Sequence, residues 1–313
     1  MRNHPCRSQS LALFLALGTC SFFPPTIARA QEVRAHADLF LMNADGSEVR
    51  SFVKVEGMVW HGSPAWSADG EQIAFDASPE VGGGPQSHLF TATVKDPKKT
   101  LTDLGPGNGP SWSVDGKTLA FFRHDKNPDE AKPGVWTMNA DGSDRKWLSE
   151  GVRPRWSPDG SKLVFASKHE GMWSLYVIEK GERRRALFEK YQRVIGASWS
   201  PDGKLLAYIA QVKTADPQLK EFVLGVTIAS AVGVQESPRI RCRGDIGWMP
   251  AWSPDGRQIA LWTIDARGAK RLSLVRYAGT DEPVEIKGQP AESSSSDAAW
   301  SPDGKHLAFT SDR

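Results

Sequence analysis

The sequence predicts an all-β protein, a six-bladed β-propeller, from three observations. The unit Trp-Ser-x-Asp-Gly occurs six times, an apolar strand pattern follows each copy, and the copies are spaced 43 to 53 residues apart. This spacing matches one four-stranded propeller blade of about 40–50 residues. The repeated Trp, Asp and Gly residues are Trp66, Asp69, Gly70, Trp112, Asp115, Gly116, Trp156, Asp159, Gly160, Trp199, Asp202, Gly203, Trp252, Asp255, Gly256, Trp300, Asp303 and Gly304.

The residue types of the repeat suit a hairpin. In Ser-Pro-Asp-Gly, the proline presets φ at the second position of a type I turn, and the glycine takes the left-handed conformation. The Trp on the strand before the turn offers a large flat face for packing between neighbouring blades. We therefore expect each repeat to form the inner hairpin of a blade.

Weaker strand pairs between the repeats complete the predicted blades. Segments such as 39–46 and 135–142 alternate apolar and polar residues and end at an Asn/Asp/Gly turn. The chain begins with such an outer pair and ends just after an inner one, so residues 38–53 are predicted to pair with residues 297–311 and close the ring. We expect residues 31–313 to form one complete, monomeric propeller domain.

The first thirty residues have the pattern of a secretory signal peptide. Basic residues precede the apolar run 11–17, and small residues stand before position 31. We expect cleavage near Ala30 and a periplasmic or secreted mature chain without a transmembrane segment. An alternative is lipidation at Cys20, because Leu-Gly-Thr-Cys at this place is similar to a lipobox.

The charge of the predicted mature chain excludes a general attraction to polyanions. The whole chain has 39 Lys and Arg against 37 Asp and Glu, but the leader carries three Arg and no acid. Its removal leaves a formal charge of −1, so we expect no nucleic-acid binding and no attraction to anionic lipid by charge alone. Cys242 is the one cysteine after residue 30, which excludes an intramolecular disulfide.

The repeat resembles that of the TolB-like propeller family. Blades of that family carry Trp-Ser-Pro-Asp-Gly, then an Ile-Ala-Phe strand, as at 73–75 here, and an outer hairpin that ends in Met-Asn-Ala-Asp-Gly, as at 42–46. The resemblance covers nearly all of residues 38–313, and it implies a periplasmic partner of cell-envelope proteins. The N-terminal α/β domain of TolB itself is expected to be missing, because the strand pattern starts close after the predicted cleavage site.

The loops that enter and leave the inner strands form the predicted binding face, because they lie opposite the Asp-Gly turns and vary freely on a rigid frame. We expect an acidic ligand, such as a uronate-containing sugar or an acidic segment of a partner, held by arginines and stacked on tryptophans. The alternative is a solvated polar rim. The candidate residues are Trp60, His61, Arg123, His124, Arg155, His169, Arg243 and Trp248.

Arg155 stands out because the other five repeats have Ala or Ser before the Trp. Its two interpretations are a ligand-facing charge near the channel and an ion pair with an acid of a neighbouring blade. His61, His124 and His169 fall in three successive blades but lack close metal-ligand spacing. We therefore expect neither a metal nor another cofactor.

These observations favour a non-catalytic scaffold that binds a protein partner or an envelope polysaccharide. The sequence has no Gly-x-Ser-x-Gly motif for a nucleophilic serine. The alternative is a polysaccharide-active enzyme, such as a uronate lyase that uses His and Arg at the channel mouth.

Overall fold

The computed structural model of the chain describes residues 36–125, 129–186, 191–213, 221–228, 237–243, 247, 249–278 and 282–313. The predicted signal peptide, residues 1–30 with Cys20, lies outside the described residues. Its removal therefore stays a prediction.

Within the described residues the chain forms 24 β-strands and one short helix. The first twelve strands are β1 (Asp38–Asn43), β2 (Arg50–Ser51), β3 (Trp60–Trp66), β4 (Gln72–Ser78), β5 (His88–Thr93), β6 (Thr102–Pro106), β7 (Asn108–Trp112), β8 (Thr118–Arg123), β9 (Gly134–Asn139), β10 (Lys146–Ser149), β11 (Val152–Trp156) and β12 (Lys162–His169). The other twelve are β13 (Met172–Glu179), β14 (Glu182–Arg185), β15 (Tyr191–Trp199), β16 (Leu205–Val212), β17 (Glu221–Ile228), β18 (Ser237–Arg243), β19 (Ala251–Trp252), β20 (Gln258–Ile264), β21 (Lys270–Arg276), β22 (Val284–Glu285), β23 (Ser295–Trp300) and β24 (His306–Ser311).

The helix, α1 (Pro97–Thr100), has four residues and follows β5. In the described part of the chain, no helix has the length and apolar character needed to cross a bilayer.

Each blade is a four-stranded antiparallel sheet, and six blades form the propeller. Blades 1 to 5 take four consecutive strands each, beginning at β3, β7, β11, β15 and β19. Blade 6 combines strands from the two ends of the chain in the order β2-β1-β24-β23. The predicted six-bladed propeller is confirmed.

The ring is closed by the pairing of β1 with β24, which places Phe40 opposite Phe309. Their rings also contact each other, with centroids 5.9 Å apart. This pairing confirms the prediction that residues 38–53 join residues 297–311. It leaves β24 covered by β1 on one side and by β23 on the other, so β24 has no open edge.

The repeated turn is held by the side chains that the sequence singled out. In the first copy, Ser67 Oγ donates to Asp69 Oδ1 at 2.6 Å, and the same oxygen accepts the backbone N–H of Glu71 at 3.0 Å. Gly70 has φ +73°, the left-handed value that favours glycine. The other five copies repeat both bonds. The serine hydrogen bonds lower the pKa of the six turn carboxyls, to about 2 at Asp159.

The repeat tryptophans connect successive blades. In three of them the indole Nε1 donates to the carbonyl oxygen of the residue that precedes the repeat Trp of the previous blade. These bonds fix the spacing of neighbouring inner strands around the axis. The three pairs are Trp66 with Ala299 (3.2 Å), Trp199 with Arg155 (3.0 Å) and Trp300 with Ala251 (3.2 Å).

The apolar core lies between the blades rather than within a single central layer. Six clusters of buried side chains fill the six interfaces between successive blades. Between blades 6 and 1, for example, Leu39 and Leu41 pack with Phe75 and Phe90. This arrangement leaves the propeller axis free for polar side chains.

Candidate functional site

A cavity of about 490 Å³ opens on the propeller axis, at the end where the inner strands begin. All six blades contribute to its lining, and we call it the axial cavity. Because each inner strand ends at an Asp-Gly turn, this opening lies at the opposite end of the blades from those turns. Its charged and aromatic lining residues are Trp60, Asp76, Phe122, His124, Arg153, Arg155, Arg193, Trp262, Lys270 and Asp297.

Bulges in the innermost strands aim side chains at the axial cavity. In four blades the strand register shifts by one residue just before the repeat Trp, as in a β-bulge. The residue three positions before that Trp then has a left-handed backbone. These bulge residues all line the cavity, and they are Ser63 (φ +49°), Gly109 (+57°), Arg153 (+56°) and Asp297 (+51°).

Arg153 and Arg155 of blade 3 and Arg193 of blade 4 form the cationic pole of the cavity. Arg155 Nη1 donates to the carbonyl oxygens of Gly109 (3.3 Å), Pro110 (3.3 Å) and Pro154 (2.8 Å). Its Nε and Nη2 have no acceptor in the part of the chain that the structure describes. Burial lowers the pKa of Arg155 to about 10, and the Arg153 charge adds to this effect, so the side chain is still cationic at neutral pH.

Asp76 of blade 1 and Asp297 of blade 6 form the acidic pole. Asp76 is 5% exposed. Its Oδ2 accepts the N–H of Gly109 at 2.7 Å. Burial raises the pKa of the Asp76 carboxyl, while the bonds from Gly109 and from the Ser63 hydroxyl oppose this shift. The half-buried Asp297 carboxylate accepts no hydrogen bond from a described residue. Each pole therefore keeps charged atoms that face the cavity.

Gly62 allows an aromatic ring and a carboxylate to meet beside the cavity. A Cβ at this position would lie 3.0 Å from Trp60 Nε1 and 3.1 Å from Asp76 Oδ1. Because real Cβ atoms rarely approach other atoms so closely, any other residue here would require the Trp60 or Asp76 side chain to shift. On the other side, Lys270 Nζ lies 4.8 Å from the centroid of the Trp262 ring, a cation–π contact.

Three of the eight residues predicted for the binding face meet at the axial cavity: Trp60, His124 and Arg155. His124 is half-buried, and its ring packs edge-on against Phe122 with centroids 5.3 Å apart. Burial lowers the pKa of His124, and the nearby Arg153 charge lowers it further. The guanidinium of Arg155 bonds to carbonyl oxygens, and the charges of Asp297 and Asp76 raise its pKa against the effect of burial.

His61 lies away from the cavity, with 0% of its surface exposed. Its Nε2 accepts the N–H of Val55 at 3.0 Å, so Nδ1 carries the proton and donates to the Ala37 carbonyl at 3.1 Å. Both ring nitrogens are therefore occupied by backbone groups. His61 joins the first described residues to blade 1.

The remaining candidates are dispersed. Arg123 is buried and donates to Asp129 beside a second cavity of about 390 Å³. His169 Nε2 lies 4.0 Å from the carboxylate of Glu170. The Arg243 side chain and Trp248 fall outside the description. Among the residues described, no cluster of His, Cys, Asp and Glu is arranged to hold a metal ion.

Sequence reasoning missed Ser63, Asp76, Arg153 and Asp297. Three of these residues occupy one column of the repeat, three positions before the Trp, where the six copies carry Ser, Gly, Arg, Gly, Met and Asp. That variation beside an otherwise regular motif was a usable signal. Asp76 had none, because its place depends on how β4 pairs with a bulged β3.

Comparison with known proteins identifies the family. The chain is 26% identical over 224 residues to the Tol-Pal system protein TolB of Francisella tularensis subsp. mediasiatica, and the match covers 69% of this chain and 48% of the relative. The structure of the putative TolB from Agrobacterium tumefaciens is similar with a TM-score of 0.67 and 16% identity, covering 88% of this chain and 98% of the other. The chain is a TolB-like β-propeller.

The TolB-like chain also matches a peptidase. It is 24% identical over 292 residues to dipeptidyl-peptidase 5 of Porphyromonas gingivalis. This match covers 88% of this chain and 40% of the relative. The chain spans less than half the length of either of these curated relatives. No family model matches the sequence.

Proposed function

We propose that this TolB-like chain is an extracytoplasmic, non-catalytic scaffold whose axial cavity binds an acidic group of a partner protein or of an envelope polysaccharide. In this proposal residues 1–30 are removed as a signal peptide, and residues 31–313 act as a monomeric propeller. The observation that carries the proposal is the cationic pole, where Arg155 presents Nε and Nη2 without an acceptor in the described part of the chain.

The chemistry of the cationic pole suits a carboxylate. A guanidinium with free N–H groups can hold a carboxylate through two parallel hydrogen bonds. Arg193 and Lys270 line the same cavity, so among its described lining residues the cations outnumber the carboxylates and favour an anion. The name of one relative, a Tol-Pal system protein, supports a protein as the partner.

Isothermal titration calorimetry with two carboxylate-rich probes, an oligogalacturonate and an oligoglutamate peptide, tests this proposal. We expect Arg155→Ala to weaken binding about tenfold, because a charge-assisted hydrogen bond contributes about 1.5 kcal/mol or more. Arg257→Ala is the matched control, since Arg257 lies in an Asp-Gly turn at the other end of the blades with 85% of its side chain exposed. Unchanged affinity in Arg155→Ala, or no binding of either probe, contradicts the proposal.

A second candidate is a uronate lyase, and the state of His124 favours it. A general base must be unprotonated at the working pH, and both burial and Arg153 lower the pKa of His124. An arginine that neutralises a uronate carboxylate would also make the neighbouring proton more acidic. Incubation with polygalacturonate, followed by the ultraviolet absorbance of unsaturated products, tests this activity. Product formed by the wild type and lost in His124→Ala supports it, and no product from the wild type rejects it.

A further inference from the structure

The charges that line the axial cavity are separated onto different blades. The cationic pole lies on blades 3 and 4, and the acidic pole lies on blades 6 and 1. In a ring of six blades, blade 3 stands across the axis from blade 6. A ligand in the cavity therefore meets arginines on one side and carboxylates on the other.

Neutral groups form the direct hydrogen bonds of Arg155 in the cationic pole and of Asp76 in the acidic pole. Arg155 donates to three carbonyl oxygens, and Asp76 accepts from the Gly109 N–H and from the Ser63 hydroxyl. The Asp297 carboxylate accepts no hydrogen bond from any residue in the described ranges. Partly buried charges without a direct opposite charge cost free energy. A ligand that brings both a cation and an anion would compensate the two poles together.

An aromatic ring lies on the acidic side of the cavity. Gly62 allows Trp60 Nε1 and Asp76 Oδ1 to approach the same point of the wall, and both residues line the cavity. A carboxylate next to an aromatic ring suits an ammonium group, which gains an ion pair and a cation–π contact. The acidic side is therefore suited to bind a cationic group of a ligand.

The backbone holds one residue of each pole in a strained conformation. Arg153 has φ +56° and Asp297 has φ +51°, values that non-glycine residues adopt rarely. Such residues cluster at ligand sites, where the surrounding structure maintains them. One strained residue, Arg153, is therefore a cation of the cationic pole, and the other, Asp297, is a carboxylate of the acidic pole.

We infer that the axial cavity recognises a ligand that carries an ammonium group as well as carboxylates, the chemistry of an acidic amino acid, either free or at the end of a larger molecule. The ammonium group lies against Asp297, Asp76 and Trp60, and the carboxylates lie against the cationic pole. Because cations outnumber carboxylates among the lining residues that the structure describes, a ligand with net negative charge fits better than a neutral zwitterion. This inference rests on the proposed function, since it adds recognition of an ammonium group to the proposed carboxylate site.

Three small probes separate the ammonium contribution from the carboxylate contribution. L-glutamate carries an ammonium and two carboxylates, glutarate lacks the amine, and N-acetyl-L-glutamate has the amine neutralised. In calorimetric titrations we expect L-glutamate to bind about tenfold more tightly than either of the others. Equal affinity for all three overturns this inference and leaves the proposed carboxylate site standing. No binding of any probe overturns both.

Two variants assign the ammonium contribution to the acidic pole. Asp297→Asn keeps a residue type that tolerates a left-handed backbone, and it should remove the preference for L-glutamate over glutarate while glutarate binds as before. Asp76→Asn is the second variant and should act in the same direction. Thermal unfolding followed by circular dichroism verifies that each variant is folded. Glu71→Gln, an exposed change in an Asp-Gly turn, is the matched control. An unchanged preference in both aspartate variants overturns the inference.

A further arm of the titration distinguishes the two sources of this chemistry. The tripeptide Glu-Ala-Ala presents an ammonium group and carboxylates at the end of a longer molecule, whereas L-glutamate is a free small molecule. Tighter binding of the tripeptide assigns the cavity to a chain end, and tighter binding of L-glutamate assigns it to a free amino acid. Failure of both to bind more tightly than glutarate rejects recognition of the ammonium group.

Discussion

The indole Nε1 of Trp66 donates a hydrogen bond of 3.2 Å to the carbonyl oxygen of Ala299, 233 residues later in the chain. Trp66 belongs to blade 1 and Ala299 to blade 6. The same type of bond joins blade 4 to blade 3 and blade 6 to blade 5. The junction between blades 6 and 1, which holds both ends of the described chain, therefore uses the same interaction as two interior junctions.

Replacing Trp66 by Phe should destabilise the protein more than the same change at Trp112. Both tryptophans occupy the repeat, but Trp112 Nε1 is buried without a hydrogen-bond partner in the residues described. Trp66→Phe loses the hydrogen bond to the Ala299 carbonyl, which costs about 1 kcal/mol more. Urea unfolding of the two variants measures the difference, and equal free energies of unfolding would show that the indole bond contributes nothing.

Gly46 should tolerate alanine less well than Gly57. Both residues have a left-handed backbone, with φ +89° and +78°, so alanine at either costs about 1–2 kcal/mol. At Gly46 a Cβ would also lie 2.1 Å from the carbonyl oxygen of Lys287, whereas nothing lies within 4 Å at Gly57. We expect a loss of about 2–4 kcal/mol for Gly46→Ala. Thermal and urea unfolding test this, and a similar loss in both variants contradicts the clash.

Acidification from pH 7 to pH 5 should weaken the fold through His61. Burial lowers the pKa of His61, and the Ala37 carbonyl and Asp38 only partly oppose this. The unfolded chain, with a His pKa of about 6.5, then binds more protons than the folded chain. The free energy of unfolding therefore falls as pH drops through about 6.5. Protonation would also place a hydrogen on Nε2, where the Val55 N–H already points.

Urea unfolding at a series of pH values measures this slope. Burial lowers the pKa of His124 as well, so His61→Gln should reduce the slope and the double variant with His124→Gln should nearly abolish it. A slope that is the same in His61→Gln as in the wild type assigns the pH dependence to other groups.

The fold could be predicted because its determinants are local and repeated. Each Ser-x-Asp-Gly turn is held by bonds between residues two to five positions apart, such as Ser67 Oγ with Asp69 and with the N–H of Gln72. Six copies of the same turn set both the number of blades and their period. Ring closure followed from the order of inner and outer pairs, and the pairing of β1 with β24 confirms it.

The site could be predicted only in part because its contacts are long-range. Arg155 was recognised as unusual, but its carbonyl partners Gly109 and Pro110 lie on blade 2, 46 and 45 residues away. His61 looked like a loop residue, and its burial depends on Val55 and Ala37, which have no sequence signature. Charge and residue type indicated the binding face, but the bulges that select which side chains reach the axis appear only in the folded backbone.

Arg153 offers a test of whether strain in the axial cavity serves binding. Its φ of +56° favours glycine, so Arg153→Gly should be more stable than Arg153→Ala by about 1 kcal/mol, after the extra chain entropy of glycine is subtracted. At the neighbouring Val152, in β11, the order should reverse, because glycine weakens an ordinary strand. Urea unfolding of the four variants measures both orders.

Both Arg153 variants should also bind glutarate about tenfold more weakly than the wild type. A glycine variant that is less stable than the alanine variant would show that the left-handed arginine is not strained, and a glycine variant that binds glutarate as the wild type does would show that Arg153 does not contribute to binding.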